Sequence, residues 1–327
     1  MRIIVDAFGG DNAPKEIMLG CALAQREDPE IKIVLTGKES KIKETALENQ
    51  IDLNNFEIID APTVMGVDEP PADILKKRSD SSIAQGLKAL ADGEGDAFVS
   101  AGSTGALVMG ATFIVKRIPG IKRAAIGAVL PTNGTPTILL DMGANVDCKA
   151  EYLHQFALMG DIYMKSLLNV ENPRVALVNI GTEDTKGDAL RLESFDLMSR
   201  AGYNFIGNIE ARDIPFGVCD VVVTDGFTGN IILKMYEGVA SALMANIKGI
   251  FTQNAFTKLS AIAVKSGLKD LKKRMDYTEF GGAPLLGVNG VVIKAHGSSD
   301  AKAIMNAIKQ AKLFVRRDVV KSIRESL

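Results

Sequence analysis

The chain has no tryptophan, only two histidines and only three cysteines in 327 residues. Cys21, Cys148 and Cys219 lie far apart and are odd in number, which gives no disulfide framework and reads as core. His154 and His296 stand without CxxC or HExxH spacing, so no zinc site, and no metal, is expected. No apolar run approaches the ~20 residues of a membrane span. The opening MRIIVDAFGGD is too short in its apolar part for a secretion signal. A soluble cytoplasmic protein is the expectation. Neither sign of charge is in excess, with 38 basic against 40 acidic side chains, which argues against a nucleic-acid partner. GxxxxGK[ST], GxSxG and a GxGxxG opening the first helix are all missing, so a P-loop, a hydrolase elbow and a nicotinamide site are disfavoured and no cofactor is expected.

What the sequence has is apolar content, 46%, enough for a full core at this length. Short β-branched runs at 2–6, 31–36, 56–60, 96–100, 124–130, 137–141, 174–179, 204–209 and 220–224 predict strands. Helical spacing predicts helices at 14–26, 81–91, 104–116, 149–168, 188–201, 229–250 and 300–323. Strands such as VALVN and DVVVT are apolar throughout rather than alternating, as when helices cover both sheet faces. The pattern predicts an α/β fold: three α/β/α layers around a mostly parallel, doubly wound sheet, with residues 1–327 as a single domain.

Residues 248–276 break this pattern, with seven basic and two acidic side chains. Phe256, Leu259, Ile262, Leu268 and their neighbours recur at helical spacing on either side of Ser266 and Gly267, which predicts two short helices turning there. Solvated lysines on a packed hairpin are one reading. A protruding basic, apolar tip that touches an anionic membrane surface is the other.

Five predicted strands end in glycine-rich turns that open helices: DAFGGDNAP from Asp6, SAGSTGA from Ser100, DMGAN from Asp141, NIGTEDTKG from Asn179 and TDGFTGN from Thr224. In a parallel sheet such turns share the carboxyl edge, and each offers unpaired amides. Together with the hydroxyls of Ser100, Ser103 and Thr104 and the cation of Lys186 they predict a phosphate-sized anion pocket. Near the C-terminus, GGAPLLGVNG from Gly281 reads as an apolar turn along which an acyl chain would run. KAHGSSD from Lys294 joins a strand to the last helix, and its His296 is either a capping residue or a catalytic one.

These loops, with NFIGNIEARD and VVVTDGFTGN, in this order and along the whole chain, resemble the PlsX-type phosphate acyltransferases, the acyl-acyl carrier protein:phosphate transacylases of bacterial phospholipid synthesis. Ser103 and Phe8 depart from the Asn and Met usual there. The resemblance implies an isocitrate/isopropylmalate dehydrogenase-like fold akin to phosphotransacetylase, a homodimer, and conversion of long-chain acyl carrier protein and inorganic phosphate to acyl phosphate. A membrane glycerol-3-phosphate acyltransferase would consume the product, and the enzyme would sit peripherally on the membrane through 248–276.

In that chemistry Lys186, Asn230 and His296 are the expected catalytic residues, and Ser100, Gly102, Ser103, Thr104 and Gly105 the phosphate cradle. Asp6, Gly9, Gly10, Asp11, Asp141, Asn145, Asn179, Asp225, Gly226, Gly229 and Ser298 are expected around the pocket. Lys76, Lys77 and Arg78 are expected to dock the acidic carrier protein. Phe256, Leu259, Ile262, Lys265, Leu268, Lys269, Lys272 and Lys273 are expected to meet the membrane. The rivals are a short-chain phosphotransacetylase using acyl-CoA and a non-catalytic scaffold for lipid enzymes.

Overall fold

The computed structural model describes residues 1–274 and 281–327, and only the backbone of Ala255, Asp270, Lys272, Lys273 and Arg274. Its strands are β1 Arg2–Asp6, β2 Lys32–Gly37, β3 Phe56–Asp60, β4 Ala97–Ser100, β5 Ala125–Leu130, β6 Thr137–Leu140, β7 Val175–Val178, β8 Phe205–Ile209, β9 Val221–Val223, β10 Ala283–Leu286 and β11 Val291–Lys294. They form one sheet in the order β3-β2-β1-β4-β11-β10-β5-β6-β9-β7-β8. The α-helices are α1 Lys15–Glu27, α2 Glu39–Glu48, α3 Ser82–Ala91, α4 Thr104–Gly110, α5 Ala150–Leu168, α6 Ala189–Ser199, α7 Gly226–Thr252, α8 Ala255–Arg274, α9 Ala301–Arg316 and α10 Val319–Glu325.

Uniformly apolar strands produce the layering. On β1, Ile3 and Val5 face a core shared with Met18 of α1, Phe156 of α5 and Ile304 of α9. Ile4 between them faces a second core with Ile83 and Leu87 of α3 and Leu107 of α4. Successive strand side chains point to opposite faces, so both faces need helices. Gly20 lets α1 lie against α9, because a Cβ there would stand 2.6 Å from that of Ile304.

The strand direction reverses within the sheet. β3, β2, β1, β4 and β11 are mutually parallel; β10 is antiparallel to both β11 and β5; β6 is antiparallel to β5 and starts a second parallel set with β9, β7 and β8. The shared carboxyl edge expected for all five glycine-rich turns is therefore corrected. The loops after β1, β4 and β11 form one set, and those after β6, β7 and β9 form another on the opposite edge.

Three further expectations are revised. The turn at Ser266 and Gly267 is absent: α8 runs through both, and the chain instead reverses between α7 and α8 at Gln253 and Asn254. The helix expected at 300–323 divides into α9 and α10, with Asp318 at φ 49°, a conformation that Asp tolerates better than most residues. Part of the apolar turn at 281–290 is strand β10, which holds Pro284 opposite Ile293. Among the described residues no helix is long and apolar enough to cross a membrane.

Candidate active site

Neighbouring strands bring the first set of loops together. A Cβ on Gly9 would meet the Gly102 amide at 2.6 Å and an Asp6 carboxylate oxygen at 2.7 Å, so the loops after β1 and β4 touch only because glycine stands there. Beneath them the Ser100 hydroxyl donates to Asp6 Oδ2 at 2.7 Å and accepts from the Gly102 amide at 3.0 Å. Burial pushes the Asp6 carboxyl above its ordinary value, against the pull of Ser82, Ser100 and the Phe8 amide. The loop after β11 joins from the other side. Asp11 N donates to the Gly297 carbonyl at 2.8 Å, and Asn12 Nδ2 donates to the Ser298 and Ser299 carbonyls.

The second set interlocks in the same manner. The Asp141 carboxylate accepts from the Ile126 amide at 2.9 Å and from the Asn145 amide at 2.7 Å. Burial pushes its carboxyl up as well. Asp225 caps α7 by accepting from the Thr228 amide at 2.9 Å, and it pairs with the Arg191 guanidinium. Burial raises the Asp225 carboxyl, but Thr228 and Arg191 outweigh it, so the group is held below its ordinary value. A Cβ on Gly229 would lie 1.9 Å from the Asp141 carbonyl oxygen, which fixes α7 against the loop after β6.

Between the sets is a cavity of ≈ 620 Å³. Gly10, Asp11, the stretch from Ala101 to Gly105, and Lys294 to Gly297 line it from the first set. Ala128 and Val129 of β5, Met142 and Gly143 after β6, and Asn230, Leu233, Lys234 and Glu237 of α7 line it from the other side. One wall is thus rich in glycine and amide, and the opposite wall sets apolar Ala128, Val129, Met142 and Leu233 beside polar Asn230, Lys234 and Glu237. The His296 ring nitrogen Nδ1 accepts from the Ser298 amide at 3.2 Å and lies 2.8 Å from the Ser298 hydroxyl, which leaves the proton of the neutral ring on Nε2. Desolvation holds this imidazole below its ordinary value. Among the described residues no cluster of His, Cys, Asp or Glu is arranged to hold a metal ion.

A family model described as a fatty acid synthesis protein matches residues 1–322. The chain belongs to that family. This is the PlsX-type family that the loop sequences resemble. Curated relatives carry the name phosphate acyltransferase. The one from Thermoanaerobacter pseudethanolicus is 48% identical over 327 residues, covering 100% of this chain and 97% of its own length. One from Clostridium botulinum strain Loch Maree is 46% identical over the same span and 98% of its length. Among solved structures, a phosphotransacetylase from Streptococcus pyogenes aligns with a TM-score of 0.66 at 16% identity, over 98% of this chain and 94% of its own. The EutD phosphotransacetylase from Staphylococcus aureus aligns at 0.60 and 17%, over 96% and 94%. The phosphotransacetylase-like fold expected from the sequence is therefore present.

Within this family member, the cavity gathers Gly10, Asp11, Gly102, Ser103, Thr104, Gly105, Asn230 and His296 of the expected residues. Asp6, Gly9 and Ser100 lie behind its wall, holding the first set of loops in shape, and Ser100 is 1% exposed. Asp141, Asn145, Asp225, Gly226 and Gly229 do the same for the second set. Ser298 holds His296 from outside the lining. Asn179 is spent on its own loop, donating to the Lys186 carbonyl at 2.9 Å. Lys186 is exposed on that loop and is not part of the cavity lining.

Cys21 and Cys219 are core, as expected, whereas Cys148 is only partly buried against it; burial pushes Cys148 and Cys219 up to about 12, far from a thiolate. In the stretch expected to dock the carrier, Arg78 pairs with Glu69 at 2.6 Å and Lys77 with Asp73 at 3.5 Å, while Lys76 is exposed. Phe256, Leu259, Ile262, Lys265 and Lys269 are exposed on α8, whereas Leu268 is partly covered. The side chains of Lys272 and Lys273 lie outside the described residues.

Sequence reading missed Lys294, Lys234, Glu237 and the apolar wall. Lys294 carries a signal in retrospect, a lysine closing the otherwise apolar strand VVIK.

Proposed function

We propose that the chain transfers a long-chain acyl group from acyl carrier protein to inorganic phosphate in this cavity. The chain is an acyl-transfer enzyme of its family. The observation that carries the reading is the two-sided cavity, with a glycine-amide wall suited to phosphate facing an apolar wall of Ala128, Val129, Met142 and Leu233 suited to an acyl chain.

A phosphate oxygen attacks the thioester carbonyl carbon, a C–O bond forms, and the C–S bond then breaks with its electron pair leaving on the thiolate. Phosphate is already anionic near neutral pH and a thiolate leaves readily, so no Ser-His-Asp triad is required. What the transfer needs is position and donors aimed at the developing oxyanion. The Gly102 to Gly105 backbone supports a phosphate cradle, and Asn230 and the Nε2–H of His296 supply donors from the two sides. Lys186 stands outside the lining of this cavity, so its assignment to the oxyanion or phosphate rests on its motif alone, and full turnover in Lys186→Ala would remove it.

Docking of the acidic carrier is assigned to Lys76, Lys77 and Arg78. Their stretch follows Pro71, which a Cβ on Gly105 of the cavity wall would meet at 2.7 Å, and that proximity supports the assignment. Exposed Phe256, Leu259 and Ile262 beside Lys265 and Lys269 support contact of α8 with an anionic membrane, where a glycerol-3-phosphate acyltransferase would take the product. On α7, Phe227, Ile231, Met235, Val239 and Leu243 form an exposed stripe at four-residue spacing, which supports a homodimer.

The test is acyl phosphate trapped with hydroxylamine from palmitoyl carrier protein and phosphate, beside the same assay with acetyl-CoA. Product from the carrier substrate supports the reading. Product from acetyl-CoA alone moves the enzyme to short-chain transacylation, and none from either leaves the scaffold reading. Co-sedimentation with anionic vesicles, lost in Phe256→Asp, tests the membrane contact.

A further inference from the structure

Among the described residues two lysines are buried in the body of the protein, and they differ in their company. Lys312 of α9, 8% exposed in its side chain, pairs with Asp28 and, at 3.2 Å, with Glu30. Lys294, which closes β11, is 8% exposed as a residue, yet among the described residues no carboxylate stands within ion-pair distance of it. An ammonium has three N–H donors. Lys294 Nζ donates to two backbone carbonyls, those of Ala101, at 3.3 Å, and Ala295. A buried charge is costly unless a counter-charge sits beside it, and this one lines the cavity where the loops after β4 and β11 meet.

We propose that Lys294 is the cation that receives the phosphate nucleophile, an oxygen of the anion standing where a carboxylate is missing. The inference rests on the reading of the cavity as a site of acyl transfer to phosphate. It explains why the amine is tied to the Ala101 carbonyl. That bond holds the charge against the backbone of the glycine-rich cradle, so cation and amides meet the same anion.

The surroundings add a pH signature. Burial pulls the amine down to about 8, opposed by the attraction of Asp6 at the end of β1 and Asp11 in the next loop, and assisted by Lys234 of α7. Glu237 of α7 and His296 also line the cavity. As pH rises through about 8 the amine loses its charge, so phosphate affinity falls. The same anion chemistry is offered by the phosphate in the carrier's thioester-bearing arm, and the two sources are separable by kinetics.

The experiment compares wild type with Lys294→Met and Lys294→Arg, each checked for folding by circular dichroism. Calorimetric titration with inorganic phosphate gives Kd, and the hydroxylamine assay gives KM for each substrate. Loss of one charge-assisted contact predicts a rise of about 10- to 100-fold in Kd and KM for phosphate in Lys294→Met. Lys294→Arg is expected to lose less, and KM for the acyl carrier is expected to stay within a fewfold of wild type. Unchanged phosphate Kd in folded Lys294→Met overturns the proposal, as does a rise confined to the carrier KM or a loss confined to kcat. In wild type, phosphate should slow reductive methylation of Lys294 as mapped by mass spectrometry; equal labelling with and without phosphate also overturns it, whether or not the variants fold. Phosphate binding without any acyl phosphate product would sink the reaction assigned above while leaving the lysine's role standing.

Discussion

Arg191 is the residue on which the seating of α7 depends, and replacing it tests that dependence. Its guanidinium pairs with Asp225 and Asp188 and donates to Thr228 Oγ1 at 3.2 Å, while the side chains of Arg191 and Asp225 are 14% and 7% exposed. Arg191→Met keeps most of the stem and removes the charge, stranding a buried carboxylate at the helix start. Breaking a buried pair from one side costs about 3–5 kcal/mol, and the partial exposure here places the loss near ~3 kcal/mol. Unfolding entropy of about 2.1 cal/mol/K per residue gives ~0.7 kcal/mol/K for this chain, so Tm should fall by ~4 °C. Circular dichroism is the probe, since the chain has no tryptophan. The sign with pH follows from Asp225, held below its ordinary value in the fold. Its contribution is present above the unfolded value near pH 4 and is lost as pH falls through the lower folded value. The gap between wild type and variant should therefore be full at pH 7 and shrink below about pH 4. A Tm within about 1 °C of wild type at pH 7 would refute the reasoning, because a pair worth so little could not hold α7 in place.

Asn230→Ala should lower kcat by about 10²- to 10³-fold, as for loss of one oxyanion donor; near-normal turnover would end its assignment. Gly10→Ala puts a side chain at φ 98° and 2.7 Å from the Gly297 carbonyl. It should cost at least ~1–2 kcal/mol, with a raised phosphate KM in the same assay, and full thermal stability would show the loops are not interlocked. Burial holds both His154 and His296 below 6.5. Their NMR titration midpoints should fall under that value, and the stability tied to them should be full above about pH 6.5 and decline as pH falls; a midpoint above 6.5 for either ring contradicts the geometry.

Much of the fold was legible because most predicted strands are short apolar runs, five of them with a glycine-rich stop. Arg2–Asp6 and Phe56–Asp60 match to the residue. β10 was not legible, since glycines and Pro284 mark it as a turn and only its place between β11 and β5 makes it a strand. The Ser266-Gly267 pair misled for the opposite reason: glycine permits a turn, but among the described residues nothing packs near Gly267 to impose one, and the helix continues. The two-set arrangement of the loops was also hidden. Strand direction depends on pairing partners, and the hairpin from β5 to β6 reverses the second half; its local mark, Asn133-Gly134 in the short loop between two apolar runs, went unread.

The candidate site shows the same division between local and tertiary information. Glycine-rich turns, helix caps such as Ser103 and Asp225, and the histidine turn are local features, and they pointed to the right region. Which hydroxyl faces the cavity is not local: Ser100 and Ser103 stand three residues apart in one motif, yet Ser100 is consumed by Asp6 and Gly102 while Ser103 reaches the lining. The contrast between Lys294 and Lys312 carries this furthest. Both are lysines in apolar surroundings, and composition cannot separate them. What separates them is the neighbour of each: the acids just after α1 neutralise Lys312, whereas the loop after β4 presents Lys294 with the Ala101 carbonyl and an open cavity. A charge satisfied by its own chain stabilises the fold. A charge at a cavity wall with no carboxylate in ion-pair distance among the described residues is stabilised by what binds there, so phosphate binding should raise Tm in wild type and raise it far less in Lys294→Met.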